Sequence, residues 1–258
     1  MHFNIPRGTN YDLFQDILSQ PHTLIAGATG SGKSVAINGL ISNIMLRSPF
    51  DQPSGAQMIL IDPKRVELAA YARLPHTLVH AGGFHPEKWT SALSRAVREM
   101  DKRYTAMERN HRKMYPGGDL YVIIDEWAAI AKNGGPEAYR LVLRLVSEGR
   151  AARVHVIMAT QVPKANIIPT EIRENFTARL CLMTENATQS RVIMECNGCE
   201  DLPDPKREGY AHGYYKLPGK NNRELWEIPY VRDAELDRLV NAWISQHPIA
   251  LSLRRTAA

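Results

Sequence analysis

The sequence predicts an α/β protein with a mainly parallel central sheet flanked by helices, followed by a C-terminal β-hairpin and a helix. Short apolar runs alternate with segments of helical periodicity, which is typical of βαβ units. The first run leads directly into G-x-x-x-x-G-K-S and a helix, the context of a phosphate-binding loop. The 258 residues are 44% hydrophobic and 23% charged, a balance that favours a globular protein with a substantial core.

Strands and helices are predicted from these patterns in order along the chain. The predicted strands are residues 22–26, 57–61, 77–80, 120–124, 154–159 and 179–183, and the predicted helices are residues 35–47, 86–112, 136–147 and 233–245. Residues 210–217 and 224–230 predict a hairpin around a turn at residues 218–222. We divide the chain into an N-terminal lead-in (1–20), a main domain (21–248) and a flexible tail (249–258).

The phosphate loop covers residues 27–34. Its glycines permit a tight turn and a close approach to phosphates, and the following helix points its positive N-terminus at the same anion. Lys33 is expected to reach the β- and γ-phosphates and Ser34 to ligate Mg²⁺, so the expected cofactors are ATP and Mg²⁺. The predicted nucleotide contacts are Gly27, Ala28, Thr29, Gly30, Ser31, Gly32, Lys33, Ser34 and Val35. A glycine-rich turn without a ligand is the alternative, and the flanking strand and helix argue against it.

The residues expected to complete the nucleotide site lie at the ends of two further predicted strands. Asp125 and Glu126 end the apolar run 120–124, and we assign Asp125 to the metal and Glu126 to general-base work on water. An ordinary strand end with helix-capping acids is the alternative, and the nearby phosphate loop favours catalysis. Thr160 and Gln161 end another buried run, where they are expected to contact the γ-phosphate or the water and couple hydrolysis to a change of shape.

No arginine lies within the phosphate loop or beside Asp125. Nucleotide motors often complete the site with an arginine donated by the adjacent subunit. The candidates by position are Arg150, Arg153, Arg179 and Arg191, each with a structural role as its alternative.

The charge, the cysteine content and the lengths of the apolar runs bear on the partners and the cellular location of the protein. A net charge of +5 and a pI of about 9.1 permit a nucleic-acid partner without establishing one. Three cysteines suggest a reducing compartment, and with no leader sequence and no membrane-length apolar run we expect a cytoplasmic location. Cys196 and Cys199 have metal-ligand spacing, but without a second such pair we interpret them as a helix end closed by Gly198.

Together these segments closely resemble the motor domain of the FtsK/SpoIIIE family of DNA translocases, RecA-like P-loop ATPases of bacteria within the HerA/FtsK group. The resemblance runs from about residue 21 to residue 231. Besides the phosphate loop, the phrases that carry it are Ile59-Leu60-Ile61-Asp62-Pro63-Lys64, Ile123-Ile124-Asp125-Glu126, Gly149-Arg150-Ala151-Ala152-Arg153 and Ala159-Thr160-Gln161.

The resemblance implies a homo-oligomeric, hexameric ring around double-stranded DNA, with ATP sites between subunits and channel loops on the phosphate backbone. Lys164 and Arg173 are then the channel candidates, Lys64 and Arg65 weaker ones, and solvated loop cations are the alternative for each. By position, Arg150 resembles the family's subunit-interface arginine and Arg191 its second interface arginine. The implied catalytic set is Lys33, Asp125, Glu126, Gln161, Arg150 and Arg191.

The sequence departs from the family pattern in several places, and these differences bear on the biological process in which the protein acts. The sequence shows no membrane-anchoring region, preceding ring-forming domain or C-terminal winged helix. The insertion that the family usually has before the Asp-Glu strand is reduced to about residues 110–119. After the Ala-Thr-Gln phrase, Val162 stands where the family frequently has a basic residue. We therefore expect DNA transfer by a mobile element, plasmid or phage rather than septal chromosome pumping. The alternatives are a type VII-like protein secretion ATPase and a module that binds ATP without hydrolysing it. A single domain and a basic balance argue against the former, and intact Lys33, Asp125 and Glu126 against the latter.

Overall fold

A computed structural model describes residues 9–47, 55–208, 210–219, 224–229 and 233–246, and within them eight strands form one sheet in the order β3-β2-β4-β5-β1-β6-β7-β8. β1 to β6 pair in parallel, whereas β7 pairs antiparallel with β6 and with β8. The predicted mainly parallel sheet with a C-terminal hairpin is confirmed. The strands are β1 (His22–Ala26), β2 (Gln57–Asp62), β3 (Thr77–Gly82), β4 (Leu120–Ile124), β5 (Val154–Thr160), β6 (Ala178–Leu182), β7 (Tyr210–Lys216) and β8 (Glu224–Pro229).

Helices lie on both faces of the sheet, and a 3₁₀ helix (Ala69–Arg73) precedes β3. The α-helices are α1 (Thr9–Leu18), α2 (Lys33–Arg47), α3 (Pro86–Arg109), α4 (Trp127–Asn133), α5 (Gly135–Glu148), α6 (Thr170–Arg173), α7 (Ala187–Met194), α8 (Pro205–Glu208) and α9 (Asp233–Gln246). Continuous apolar runs such as β1 and β4 are buried along their whole length, as expected for parallel strands covered on both faces.

Two apolar cores result, one on each face. Trp89 of α3 and Trp127 of α4 belong to the first, together with alternate strand residues such as Ile124. Phe14 of α1 belongs to the second and packs edge-on against Trp226, with ring centroids 5.6 Å apart. The segment before β1 therefore contributes a helix to this core.

Several element ends differ from the sequence prediction by a few residues. The long helix is predicted to residue 112 but ends at Arg109, because Asn110 leaves the helical conformation and His111 has a φ of 51°. β6 begins and ends one residue earlier than predicted, whereas β2, β3 and β5 continue further. Residues 220–222 of the predicted hairpin turn and the tail 249–258 lie outside the described residues.

The parallel pairing determines where polar residues gather. The carboxyl ends of β1, β2, β4 and β5 meet at one edge of the sheet, so the phosphate loop, the turn after Asp62, the Asp125-Glu126 pair and Gln161 become neighbours. The amino ends of the same strands form the opposite edge.

Candidate nucleotide-binding site

The phosphate loop connects β1 to α2 and is packed closely against its surroundings. Gly30 and Gly32 have φ angles of 79° and 98°, which favour glycine. A Cβ at Gly32 would lie 2.3 Å from the Cβ of Ala211. The Ala28 N–H donates to the carbonyl of Met183 at 2.7 Å, which ties the loop to the end of β6. The loop conformation is therefore fixed by the strands on both sides.

The loop residues fit a polyphosphate. The Ser31 hydroxyl is buried with no hydrogen-bond partner among the described residues, and the first turn of α2 carries no acidic residue. Lys33 is 6% exposed. Burial lowers the pKa of Lys33, while the carboxylates of Glu126 and Asp125 oppose that shift. A polyanion at the N-terminus of α2 would supply partners for these groups and stabilise the charged lysine.

Asp125 lies in a crowded acidic environment at the end of β4. Burial, together with the neighbouring carboxylates of Asp62 and Glu67, raises the pKa of Asp125 to about 7. A divalent cation would relieve this repulsion, and carboxylate and hydroxyl oxygens are the ligands that Mg²⁺ prefers. These residues therefore fit a Mg²⁺ ion, which Asp125 and the hydroxyl of Ser34 would hold.

Glu126 is at the centre of a hydrogen-bond network. Its Oε1 accepts from the Thr160 hydroxyl at 3.0 Å, from the Gln161 N–H at 3.1 Å and from the Ala128 N–H at 3.3 Å. The last contact caps α4, so the capping alternative considered for this acid is realised as well. On the other side, the Nζ of Lys64 lies 3.6 Å from Oε2. The carboxylate is thus fixed beside the phosphate loop.

Thr160 and Gln161 both contact Glu126. Thr160 is fully buried and donates its hydroxyl to the Glu126 carboxylate. The side chain of Gln161 accepts from the Thr29 hydroxyl at 3.0 Å. Gln161 therefore connects the phosphate loop to Glu126, through its side chain on one side and its backbone N–H on the other.

Asp62 is a site residue that the sequence reasoning did not single out. Its carboxylate is fully buried and accepts the N–H groups of Lys64, Arg65 and Leu68 at 3.1, 2.9 and 3.0 Å. These bonds hold the turn after β2 and explain how Lys64 comes to face Glu126. The available signal was an Asp-Pro pair directly after an apolar strand, since aspartate commonly organises a turn through its own carboxylate.

The four candidate arginines differ in their exposure and in their hydrogen-bond partners. Arg153 binds Asp119 through two bonds of 2.7 and 2.9 Å, and the buried Arg179 binds Glu195 at 2.8 Å, so both are structural. Arg191, on α7, is exposed, with a hydrogen bond of 3.1 Å to Asn197 in the segment that follows the helix. Arg150 is exposed, and its guanidinium has no hydrogen-bond or ion-pair partner among the residues that the structure describes.

Arg150 lies just before β5, at the amino edge of the sheet, where it lines a cavity of about 710 Å³ with Asp119, Tyr121 and His155. The phosphate loop lies at the carboxyl edge. The seven residues of β5 separate the two edges by roughly 20 Å at about 3.3 Å per residue. Arg150 therefore cannot reach the phosphate loop of its own chain.

The loop after β5 is hydrogen-bonded to α4, the helix that follows Glu126. The indole N–H of Trp127, directly after Glu126, donates to the carbonyl of Ile167 at 2.7 Å. Lys164 in this loop is exposed, and Arg173 is half-buried with a weak hydrogen bond of 3.3 Å to Thr170. Arg65, in the turn after β2, lies 3.2 Å from the ring of His85. Lys164 and Arg173 thus belong to a segment that is connected to Glu126.

The three cysteines lie near the carboxyl end of β6. Cys181 and Cys199 are buried and Cys196 is partly exposed. Within the described ranges, no group of three or more histidine, cysteine or acidic residues is arranged to hold a metal ion.

The sequence model of the FtsK/SpoIIIE family matches residues 2–195. The chain belongs to the FtsK/SpoIIIE family. It is 34% identical over 258 residues to the DNA translocase FtsK of Chlorobaculum tepidum, covering 93% of this chain and 31% of that protein. To the DNA translocase FtsK of Streptococcus pyogenes serotype M1 it is 32% identical over 245 residues, covering 88% of this chain and 30% of that protein. The chain thus spans under a third of the length of these curated relatives.

Solved structures confirm the fold. The pCW3 conjugation coupling protein TcpA, in its monomer form with ATPγS, superposes with a TM-score of 0.71 at 21% identity, over 88% of this chain and 66% of that one. The cytoplasmic domain of the type VII secretion ATPase EccC of Thermomonospora curvata gives a TM-score of 0.71 at 21% identity, over 86% of this chain and 28% of that one. This FtsK/SpoIIIE member is a nucleotide-binding P-loop ATPase with a RecA-like fold. None of its described helices is long and apolar enough to cross a bilayer.

Proposed function

We propose that this FtsK/SpoIIIE chain is the ATP-hydrolysing motor of a double-stranded DNA translocase that acts as a hexameric ring of identical subunits. The observation that carries the proposal is the direct connection between the hydrolytic carboxylate and a basic loop. Gln161 donates to Glu126, and Trp127 donates to the loop carbonyl of Ile167. A movement at the nucleotide would therefore be transmitted to Lys164 and Arg173 through two hydrogen bonds.

In this mechanism Lys33 and the loop amides hold the phosphates, and Ser34 and Asp125 hold Mg²⁺, which neutralises phosphate charge when it is bound. Glu126 accepts the proton of the attacking water. Gln161, bonded to Thr29, responds to the state of the phosphate loop and shifts the segment that follows it. Each role is a proposal supported by the placement of these residues at one edge of the sheet.

Two further assignments extend the proposal to the ring and its DNA. Arg150 completes the nucleotide site of the adjacent subunit, supported by its exposure, its lack of a partner among the described residues and its distance from its own phosphate loop. Arg191 is the second arginine for that role. Lys164 and Arg173, with Lys64 and Arg65 as secondary contacts, bind the DNA backbone, because such contacts are independent of sequence and can be made and released repeatedly.

We also propose that residues 21–248 form the motor domain and act in the cytoplasm of a bacterium, in DNA transfer by a mobile element, plasmid or phage. The short connection at residues 110–119 and Val162 support transfer over septal chromosome pumping. Disruption of the gene should reduce transfer of the element that carries it and leave cell division unchanged. A division defect without loss of transfer would refute this assignment.

The decisive experiment measures ATP hydrolysis without polymer, with linear duplex DNA and with an unfolded polypeptide, using Lys33→Ala as the blank. The expected result is stimulation by duplex DNA that disappears in the variant and weakens as salt rises, because displaced counterions compete for the backbone. Stimulation by the polypeptide and not by DNA would refute the proposal and favour protein secretion.

A further inference from the structure

Lys64 is placed between the catalytic carboxylate and solvent. Its Nζ lies 3.6 Å from Oε2 of Glu126, yet 44% of the lysine side chain is exposed against 7% of the glutamate side chain. The ammonium group therefore has contact with the interior of the site and access to whatever approaches from outside.

The Glu126 carboxylate already has partners on both of its oxygens. Oε1 accepts three hydrogen bonds, from Thr160, Gln161 and Ala128. Oε2 lies 3.3 Å from the Gln161 N–H and faces the Lys64 ammonium. A carboxylate offers about four lone-pair directions. The Lys64 ammonium, 3.6 Å from Oε2, crowds the direction that the hydrogen bonds leave on that oxygen for an attacking water. Withdrawal of Lys64 would free one direction on Oε2.

The backbone that carries Lys64 is fixed, so the side chain is the part that can move. Asp62 receives the N–H groups of Lys64 and Arg65 on one oxygen and that of Leu68 on the other. The carbonyl of Asp62 also accepts the Gly83 N–H at 2.8 Å. A lysine ammonium on a flexible stem can exchange one anionic partner for another without displacing this turn.

We propose that Lys64 is a brake on hydrolysis that an external polyanion releases: it occupies Oε2 of Glu126 until a phosphate group of the DNA backbone draws its ammonium outward. The inference rests on the proposed function, because it identifies duplex DNA as the source of that phosphate. It assigns Lys64 a positioning and regulatory role, in addition to a contribution to DNA affinity.

The test compares Lys64→Met, which keeps the aliphatic stem, with Lys64→Arg and with the matched control Lys132→Met, an exposed lysine on α4. Without DNA, Lys64→Met should raise kcat about two- to fivefold, which is the range expected for removal of a half-exposed ion pair. Its further stimulation by DNA should shrink by a similar factor. Lys64→Arg keeps the cation, so its basal kcat should stay below that of Lys64→Met, and Lys132→Met should keep the low basal rate.

Failure of the brake and failure of the proposed function are distinguishable, because the first comparison contains no DNA. A basal kcat of Lys64→Met equal to or below that of the unmodified protein, with an unchanged thermal transition, would overturn the brake. A rise in basal kcat with no DNA stimulation of the unmodified protein would overturn DNA as the releasing ligand and would refute the proposed function.

Discussion

At the scale of single residues, Glu126 shows how one side chain serves structure and chemistry together. Its carboxylate caps α4 through Ala128, and the same oxygen is held by Thr160 beside the phosphate loop. Capping and catalysis are alternatives only when the sequence is read alone. In the folded chain the cap holds the carboxylate in the position that the proposed general base requires.

His22 gives a prediction about pH. It is 2% exposed, and its Nδ1 accepts the Val156 N–H at 3.0 Å. Burial, together with the charge of His155, lowers the pKa of His22 to about 3. In the unfolded chain His22 has the ordinary histidine pKa, near 6.5. Between pH 6.5 and 3, therefore, His22 is protonated in the unfolded chain and neutral in the folded chain. This contribution to stability is complete above pH 6.5 and is lost as the pH falls.

The variant His22→Asn keeps an acceptor and removes the titration. Between pH 7 and pH 4 the unmodified protein should lose about 2–3 kcal/mol more of its free energy of unfolding than the variant does, measured by urea denaturation. The exposed His111→Asn serves as the control and should follow the unmodified protein. Parallel pH profiles for His22→Asn and the unmodified protein would contradict the assignment.

At the scale of elements, the important unit is α4 together with the loop after β5. Trp127 lies one residue after Glu126, and its indole N–H reaches across to the carbonyl of Ile167. Helix and loop are therefore joined by a buried hydrogen bond in addition to apolar packing. In the proposed mechanism, a change at Glu126 would move the first turn of α4, and with it the carbonyl to which Trp127 donates.

Trp127→Phe keeps an aromatic ring and removes this bond. We expect a loss of about 1–2 kcal/mol in the free energy of unfolding, because the buried Ile167 carbonyl loses its donor. The ratio of DNA-stimulated to basal ATP hydrolysis should fall severalfold. Trp89→Phe is the matched control, since Trp89 is also fully buried and donates to the Gly83 carbonyl at 2.9 Å. An equal fall of the ratio in both variants would show that general destabilisation, and not this connection, is responsible.

The basic loop gives a prediction about salt. Lys164→Gln combined with Arg173→Gln should weaken duplex DNA binding, and the slope of log affinity against log salt should fall by about 2, near one unit per lost phosphate contact. Titration of fluorescent duplex DNA at several salt concentrations measures both. The pair Arg98→Gln and Lys102→Gln removes two exposed cations from α3 and should leave the slope unchanged. Equal slopes for all variants would exclude Lys164 and Arg173 as backbone contacts.

At the scale of the whole molecule, the sheet separates the phosphate loop from Arg150. The phosphate loop is at the carboxyl edge and Arg150 at the amino edge, so in the proposed ring one subunit would present Arg150 to the phosphate loop of its neighbour. Contacts between two different surfaces of identical chains are heterologous, and they generate a ring when the rotation closes. The proposed ring is thus consistent with the positions of Lys33 and Arg150.

Mixing two inactive variants tests this arrangement. Lys33→Ala and Arg150→Ala should each hydrolyse ATP poorly with duplex DNA. Their mixture should regain activity, because an Arg150→Ala subunit next to a Lys33→Ala subunit forms a site with both side chains intact. Arg140→Ala, an exposed arginine on α5, should be active alone. A mixture no more active than the sum of its components would contradict action of Arg150 in trans.

A missing helical period explains why the sequence did not predict three of the helices. α6 and α8 have four residues each, too few for a helical period to register, and α4 begins with the continuous apolar run Trp-Ala-Ala-Ile-Ala. The main strands were predicted because burial on both faces makes them continuously apolar. Their ends shifted by one or two residues, since pairing with neighbouring strands, which is a long-range property, decides where a strand stops.

The sequence by itself determined the fold class, the phosphate loop and the Asp125-Glu126 pair, because each is encoded in residues that are adjacent along the chain. Only the tertiary structure decided that Thr160 and Lys64 converge on Glu126, that Asp62 organises the neighbouring turn, and that Arg153 and Arg179 are structural. These contacts join residues on different strands and loops. Strand order and parallel register bring them together, and neither is encoded in local spacing.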